Sequence, residues 1–249
     1  MTTRKHAGLL VLIATMLLLA TGCATPGLLH VYSLPNPTRA NIADTGTENA
    51  SETPSFIREG ETVTGFAYDP FTDHFFVRLA PGDTIRVVDR PAHAIKREFK
   101  LAQLRASGGG DLAIRPRDGH VFAAMSTDAA LVEFTRYGEY IGPVALEKIA
   151  GAIDGVAFDA AQNHLFVVAR GSTGQISVHS PDGRQLSVIA LDRAIAPGCL
   201  AFDSEKREFY ASLVGGAVGV FGEAGNFRRE LPLRTPFFDV GPRSFLRMF

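Results

Sequence analysis

The fold is decided by the stretch GVAFDAAQNHLFVV, residues 155–168. An apolar run, a polar turn and a second apolar run follow one another, which is the pattern of two short strands joined by a tight turn. The same pattern recurs at residues 65–77, 111–124 and 199–212. The alanines shared by the four segments, at positions 67, 113, 157 and 201, are separated by 46, 44 and 44 residues. The chain is therefore built from tandem repeats of about 44 residues.

Each repeat continues with two more short runs, the third of which alternates between apolar and polar residues. Four short strands in a repeat of this length are typical of a β-propeller blade, because such a sheet buries both faces only between neighbouring sheets. Asp69, Asp159 and Asp203 follow the first strand of their repeats. We interpret them as turn residues whose carboxylates accept amides of the turn. The prediction is an all-β chain folded as a β-propeller of four-stranded blades.

The two ends of the chain predict how the ring of blades closes. Residues 237–249, FFDVGPRSFLRMF, align with the start of the fourth repeat, so that Asp239 matches Asp203 and residues 245–246 fall in a second strand. Residues 28–35, LLHVYSLP, are similar to the third strand of a repeat. We expect five blades, the last with two inner strands from the C-terminus and one or more outer strands from the N-terminus. Four or six blades are the alternatives.

The third repeat resembles the repeats of the NHL and YVTN type propeller superfamily, through the pattern GVAFD, HLFVV and ISVHSPDGR. The resemblance covers about residues 61–249. It implies a fold and no single activity, because relatives include extracytoplasmic scaffolds, ligand binders, lyases and metal-dependent lactonases.

The N-terminus has the pattern of a secretory signal. Residues 9–20 carry no charge and follow two basic residues, and they are too few to span a bilayer as a helix. The sequence Leu-Ala-Thr-Gly-Cys, residues 19–23, resembles the lipobox of bacterial lipoproteins. The resemblance implies a signal peptide over residues 1–22 and acylation of Cys23, which becomes the new N-terminus. Ala24 in the next position favours the outer membrane, facing the periplasm, if the source is Gram-negative.

These features divide the chain into four parts. The signal peptide is followed by residues 23–34, the acylated N-terminus and possible closing strand. Residues 35–60 are rich in Pro, Thr, Asn, Ser and Gly, as expected of a polar loop or tether. Residues 61–249 hold the propeller repeats.

The composition excludes several classes of protein. Of 249 residues, 25 are Lys or Arg and 26 are Asp or Glu, so the chain lacks the basic excess of an electrostatic nucleic-acid binder. Two cysteines make neither a disulfide scaffold nor a Cys-rich zinc site. With Cys23 acylated, Cys199 is expected to be a buried thiol. His74, His120 and His164 recur at one repeat position, but separate blades keep them too far apart to share a metal ion.

Candidate ligand-binding residues lie where the innermost strands begin and where the second strands end. Arg78 and Arg170 are suited to a carboxylate or phosphate group. Asp111 and Asp154 are suited to a divalent cation. The residues alone predict no catalytic residue, no metal site and no cofactor. The alternative prediction is that the protein binds a divalent cation.

Three functional hypotheses follow. The leading one is a membrane-anchored extracytoplasmic lipoprotein that uses its propeller to bind a protein or cell-envelope partner, without enzymatic activity. The alternative is a metal-dependent hydrolase or lyase, similar to lactonases, with Asp111 and Asp154 at the propeller mouth. The third is a sensor of a small anion held by Arg78 and Arg170.

Overall fold

The computed structural model describes residues 29–34, 43–44, 56–92, 94–104, 110–235 and 237–242. The described residues form nineteen β-strands and one short 3-10 helix, Ala102–Leu104. The strands are β1 (Leu29–Leu34), β2 (Ala43–Asp44), β3 (Thr62–Asp69), β4 (His74–Ala80), β5 (Thr84–Asp89), β6 (Ala94–Lys100), β7 (Leu112–Arg115), β8 (His120–Ala124), β9 (Ala130–Thr135), β10 (Tyr140–Ala145), β11 (Ile153–Asp159), β12 (His164–Ala169), β13 (Gln175–His179), β14 (Gln185–Ala190), β15 (Ile195–Asp203), β16 (Glu208–Leu213), β17 (Ala217–Gly222), β18 (Phe227–Arg234) and β19 (Phe237–Pro242). The all-β prediction is confirmed.

Each of the four repeats forms one antiparallel four-stranded sheet, with its strands in sequence order: β3 to β6, β7 to β10, β11 to β14 and β15 to β18. The first three strands are largely buried, whereas the fourth alternates between exposed and partly buried residues. The fourth strand is therefore the outer edge of each blade. The charged side chains of β6 and β18 suit that position, because an apolar edge strand invites pairing with other chains. β10 and β14 differ, since they expose Tyr140, Ile141, Leu186 and Val188.

The four sheets stand side by side in a ring. The first strands are neighbours in the order β3, β7, β11, β15, and three core clusters fill the spaces between the sheets that they begin. The shared alanines at positions 67, 113, 157 and 201 are all buried on these strands. Second-strand aromatics at one repeat position, Phe76, Phe122, Phe166 and Tyr210, are 2% exposed or less. Small residues near the axis and aromatic residues farther out therefore allow the sheets to pack as wedges.

A three-stranded sheet, in the order β19-β1-β2, lies between the fourth and first repeats, because β19 contacts both β15 and β3. The strand that pairs with β19 is not the one predicted. The N-terminal β1 pairs with β19 along its whole length, from Leu29 opposite Pro242 to Leu34 opposite Phe237. That edge of β19 is thus taken by β1 instead of by residues 245–246, which lie outside the described residues.

The interpretation of the turn aspartates is confirmed. Asp69 accepts the amide of Phe71 at 3.0 Å, Asp159 that of Ala161 at 2.9 Å, and Asp203 that of Glu205 at 2.9 Å. Asp239, which the alignment matched with Asp203, is different. It is the third residue of β19, so it lies within a strand and not at its end.

Two equivalent glycines join neighbouring blades. Gly183 and Gly225 occupy the turn between the third and fourth strands, with φ of +94° and +86°. A Cβ atom on either would overlap a carbonyl oxygen of the preceding blade's outer strand, that of Ala145 or Ala190. Glycine is needed here for two reasons, the left-handed backbone and the close approach.

The proposed signal peptide, Cys23 and Ala24 lie outside the described residues. Within the part of the chain that the structure describes, no helix is both long enough and apolar enough to cross a membrane.

Candidate functional site

One position of the repeat supplies residues to the inner part of the ring. Gly65, Asp111, Gly155 and Cys199 each lie two residues before the shared alanine. Asp239 provides the corresponding polar group from β19. We call the face of the ring at which the innermost strands begin the N-face, and the face at which they end the C-face.

Asp111 connects three blades at the axis. Its Oδ2 accepts the amide of Val156 on β11 and the amide of Leu200 on β15, each at 3.0 Å. The side chain is buried, and Oδ1 has no N–H or O–H donor against it among the described residues. The thiol of Cys199 lies beside the same carboxyl. Burial raises the pKa of Asp111 to about 7, against the lowering effect of these hydrogen bonds.

Asp239 makes a second connection at the axis. Its Oδ2 accepts the amide of Tyr68 on β3 at 2.7 Å, and its Oδ1 accepts the amide of Val240 at 2.7 Å. Burial raises the pKa of Asp239 to about 8, and the charge of Asp111 contributes in the same direction. Two poorly solvated carboxyl groups thus lie close enough for the charge of Asp111 to act on Asp239.

Cys199 is buried and free, as predicted. Burial, followed by the charge of Asp111, raises the pKa of its thiol well above the ordinary range. Burial therefore favours the neutral thiol over the thiolate, which is the nucleophilic form.

A cavity of about 340 Å³ lies on the axis and reaches the C-face. Its wall is mainly apolar and comes from the first strands of the four repeats and from β19, for example Ile114, Phe158, Leu200 and Val240. Asp239 and Asp203 both line it with carboxyl groups, and Glu205 stands at its rim. Asp203 Oδ1 accepts turn amides, whereas its Oδ2 is buried without a hydrogen-bond donor among the described residues. An apolar space with a few convergent polar groups is the usual form of a small-ligand pocket.

Arg78, predicted as a ligand-binding residue, is fully buried. Its Nη2 and Nε contact Asp83 Oδ1 at 2.8 and 3.0 Å, and its Nη1 donates to the carbonyl oxygen of Ala124 in the next blade at 2.7 Å. Burial lowers the pKa of Arg78, while Asp83 acts in the opposite direction. The guanidinium group therefore joins two blades. Arg78 was predicted to face a ligand at the mouth of the propeller, and its burial differs from that prediction.

Arg170 and Asp154 form a pair on the N-face. Arg170 Nε donates to Asp154 Oδ1 at 2.9 Å, and its Nη1 donates to the carbonyl oxygen of Ser126 at 2.9 Å. The Arg170 side chain is 54% exposed, so an anion has access to it. Anion binding at Arg170 remains a prediction.

The repeated histidines lie apart, at the start of three different second strands. His120 Nδ1 contacts Glu133 Oε1 at 2.6 Å, and His74 Nε2 lies 3.7 Å from Asp89. Among the described residues, no group of three or more His, Cys, Asp or Glu side chains is arranged to hold a metal ion. Asp111 and Asp154 are not brought together either. Asp111 is buried within the ring, whereas Asp154 pairs with Arg170 on the N-face.

The C-face carries two exposed aromatic residues that the sequence analysis did not select. Phe71 is 75% exposed and Tyr137 is 65% exposed. The guanidinium carbon of Arg136 lies 4.9 Å from the centre of the Phe71 ring, and that of Arg97 lies 4.6 Å from the centre of the Tyr137 ring. Arg97 also donates to the backbone oxygen of Arg136 at 3.4 Å. We call these four side chains the aromatic–arginine patch.

The comparison with solved structures identifies the architecture. A chain of the crystal structure of a nidogen/laminin complex superposes with a TM-score of 0.63 at 11% identity, over 87% of this chain and 100% of that one. The chain is a β-propeller.

Hydrazine synthase of Kuenenia stuttgartiensis has a TM-score of 0.48 at 14% identity, over 75% of this chain, which spans about half, 51%, of that protein. No protein-family model and no curated protein sequence matches the chain. At these identities the likeness of the propeller to solved structures concerns the fold alone.

Proposed function

We propose that this propeller is a lipid-anchored protein of the cell envelope that binds a protein partner through the aromatic–arginine patch. The observation that carries the proposal is the exposure of Phe71 and Tyr137, side by side with Arg136 and Arg97, on one face of the ring. Aromatic residues and arginine are the side chains most enriched at the energetic centres of protein interfaces.

The geometry of the patch favours binding over packing within the fold. Arg136 Nη2 lies 3.1 Å from the buried carboxylate of Asp69, and this ion pair holds its guanidinium plane over the Phe71 ring. The guanidinium group beside Phe71 is thus positioned before a partner arrives, which lowers the entropic cost of binding. Exposed Arg117 adds positive charge on the same face. A partner surface with apolar and acidic side chains complements this patch.

The comparison with known structures is in accord with this role. The propeller of similar fold was crystallised in a nidogen/laminin complex, a protein–protein assembly. The low identity transfers no partner from that complex to this chain.

A capture experiment tests the partner-binding proposal. The full chain is used to capture proteins from solubilised envelopes, alongside a Phe71→Ala, Tyr137→Ala variant. Val214→Ala is the matched control, since Val214 is 71% exposed in a turn on the opposite face. We expect the double variant to lose affinity roughly 30-fold or more and the control to lose none. Equal capture by the double variant and the wild type would contradict the patch as the binding site.

The lipid anchor is proposed from the lipobox at residues 19–23 and from the basic and apolar segments before it. Several acyl chains on one cysteine hold a protein on a membrane more firmly than a single chain does. Metabolic labelling with a fatty acid should mark the wild type and not Cys23→Ser. Equal labelling of both would contradict acylation at Cys23, and the Cys23→Ser chain should lose its membrane retention. If the source is Gram-negative, localisation at the outer membrane, facing the periplasm, belongs to the same proposal.

The three-stranded sheet is proposed to act as a fifth blade. Its support is that β19 lies between β15 and β3, and that Tyr32 on β1 is buried against Tyr68 and Phe75, with ring centres 4.6 and 5.1 Å apart. Tyr32→Ala should then destabilise the whole protein by about 3 kcal/mol or more, as Phe122→Ala in the second blade should. A neutral Tyr32→Ala in urea unfolding would contradict this role.

A further inference from the structure

The axial cavity has the features of a small-ligand site that none of the functions above requires. It is about 340 Å³, apolar along its wall, and it reaches solvent at the C-face. Asp239 lines it with a carboxyl group whose two oxygens are each oriented by one backbone amide, of Tyr68 and of Val240, both at 2.7 Å. A positioned carboxyl in an apolar pocket recognises a hydrogen-bond donor of opposite charge.

The electrostatics around Asp239 favour a cation over a neutral donor. The charged or titratable groups near it on the other strands are Asp111, which precedes β7, and Cys199 on β15. Asp203 at the end of β15 and Glu205 after it line the same cavity. None of these groups is positive, and Asp111 and Asp203 each have a buried oxygen without an N–H or O–H donor among the described residues. The axis therefore carries acidic groups that lack a counter-ion within the ring.

We propose that the axial cavity binds a small apolar amine, with the ammonium group on the Asp239 carboxylate and the hydrocarbon body against the cavity wall. A metal ion is a poorer fit, because no three ligating side chains converge among the described residues. A compact organic cation needs fewer charged ligands, and its apolar part fills space that water occupies poorly.

Binding should release a proton near neutral pH. The pKa of Asp239 is raised to about 8, so the free carboxyl is mainly protonated at pH 7. When an ammonium ion binds, the carboxylate becomes the favoured form, and the carboxyl proton passes to the buffer. The amine keeps its own proton throughout.

Titration calorimetry of the full chain with three shape-matched probes tests the site. The probes are cyclohexylmethylamine, cyclohexylmethanol and cyclohexanecarboxylate. We expect the amine to bind once per chain, about tenfold or more tighter than the alcohol, and the carboxylate to show no binding. The apparent enthalpy of amine binding at pH 7 should change with the ionisation enthalpy of the buffer. Equal affinity for amine and alcohol, or no amine binding, would overturn the proposal.

Three variants locate the binding. Asp239→Asn should weaken amine binding about tenfold and abolish the proton release, whereas Glu205→Gln at the rim should change the affinity less than about twofold. Ala160 is exposed at the cavity rim, so Ala160→Trp should block entry of the amine without altering the core. This variant tests the site even if Asp239→Asn does not fold. Equal effects of Asp239→Asn and Glu205→Gln, or unchanged binding by Ala160→Trp, would overturn the assignment. The patch variants should bind the amine normally, so this test is independent of partner binding.

Discussion

Asp111 and Leu200 are 89 residues apart in the sequence and are joined by a hydrogen bond of 3.0 Å, from the Leu200 amide to Asp111 Oδ2. The same oxygen accepts the Val156 amide. One carboxylate oxygen therefore ties the second blade to the third and the fourth. Closure of the ring depends on such contacts at the axis as well as on apolar packing between blades.

The Asp111 connection predicts a large difference between two substitutions. Asp111→Ala leaves two buried amides without an acceptor and should lower the free energy of unfolding by about 2–4 kcal/mol. Asp111→Asn keeps an oxygen for both amides and places its NH2 where Oδ1 was, so it should cost less than half as much. Urea unfolding followed by circular dichroism measures both, and equal losses in the two variants would contradict the account.

The buried carboxyls predict that stability falls as pH rises from 6.5 to 8.5. Asp111 and Asp239 have ordinary pKa values of 3.8 when unfolded, and pKa values of about 7 and about 8 when folded. In this range the folded state binds more protons than the unfolded state, and the linkage relation makes stability decrease. His74 and His179 have lowered pKa values, so near pH 6.5 the unfolded state binds more of their protons than the folded state does. Their contribution therefore opposes the fall at the start of this range and fades as the unfolded histidines lose their protons, which leaves the carboxyl effect clearest from pH 7.5 to 8.5.

The control for this pH dependence is Asp111→Asn. It removes one of the two groups and also the charge that helps to raise the pKa of Asp239. The slope of unfolding free energy against pH should therefore be shallower in Asp111→Asn than in the wild type. An identical slope in the two proteins, or stability that rises over this range, would show that the axial carboxyls are not the cause.

Substitution of Gly183 should separate backbone strain from steric overlap. Gly171→Ala introduces a residue at φ +79° with no atom near its Cβ, so it should cost about 1–2 kcal/mol from the left-handed backbone alone. Gly183→Ala adds overlap with the Ala145 carbonyl oxygen and should cost about 1–3 kcal/mol more. Thermal unfolding of the two variants side by side gives the difference, and equal costs would refute close packing of this turn on the previous blade.

The ion pairs of Arg86 predict that the segment leading into the first blade contributes to the stability of the protein. Its buried guanidinium pairs with Glu61 at 2.6 Å and with Glu98 at 2.6 Å, and it donates to the carbonyl oxygen of Phe56. Arg86→Met leaves these partners uncompensated and should destabilise the protein by about 3 kcal/mol. Arg184→Met, at an exposed turn, should change stability by less than about 0.5 kcal/mol. Chemical denaturation distinguishes them, and a neutral Arg86→Met would refute the role of this cluster.

The repeat allowed the blade to be predicted because its periodicity is a local property of the sequence. The alanines at 67, 113, 157 and 201, and the turn role of Asp69, Asp159 and Asp203, follow from that spacing and are confirmed. The last innermost strand was harder. The alignment placed Asp239 at a turn, but β19 continues to Pro242, because β1 pairs with it along its full length.

The candidate site was less predictable, because the positions of its residues depend on contacts between blades. Arg78 and Asp111 were assigned to the rim from their place in the repeat, but both are drawn into the ring by partners on other blades. Such partners are 45 or more residues away and leave no local pattern. Phe71 and Tyr137 did carry a signal, since each is a large aromatic residue within a polar turn, where burial in the same blade is unavailable.

The most direct test of the central claim, that the C-face binds a protein partner, is site-specific photocrosslinking in the intact cell envelope. A photoreactive phenylalanine analogue replaces Phe71 in one chain, Tyr137 in a second and Val214, on the N-face, in a third. We predict one discrete crosslinked protein adduct from positions 71 and 137 and none from position 214. Absence of an adduct at both 71 and 137, or an equally strong adduct at 214, would contradict the claim.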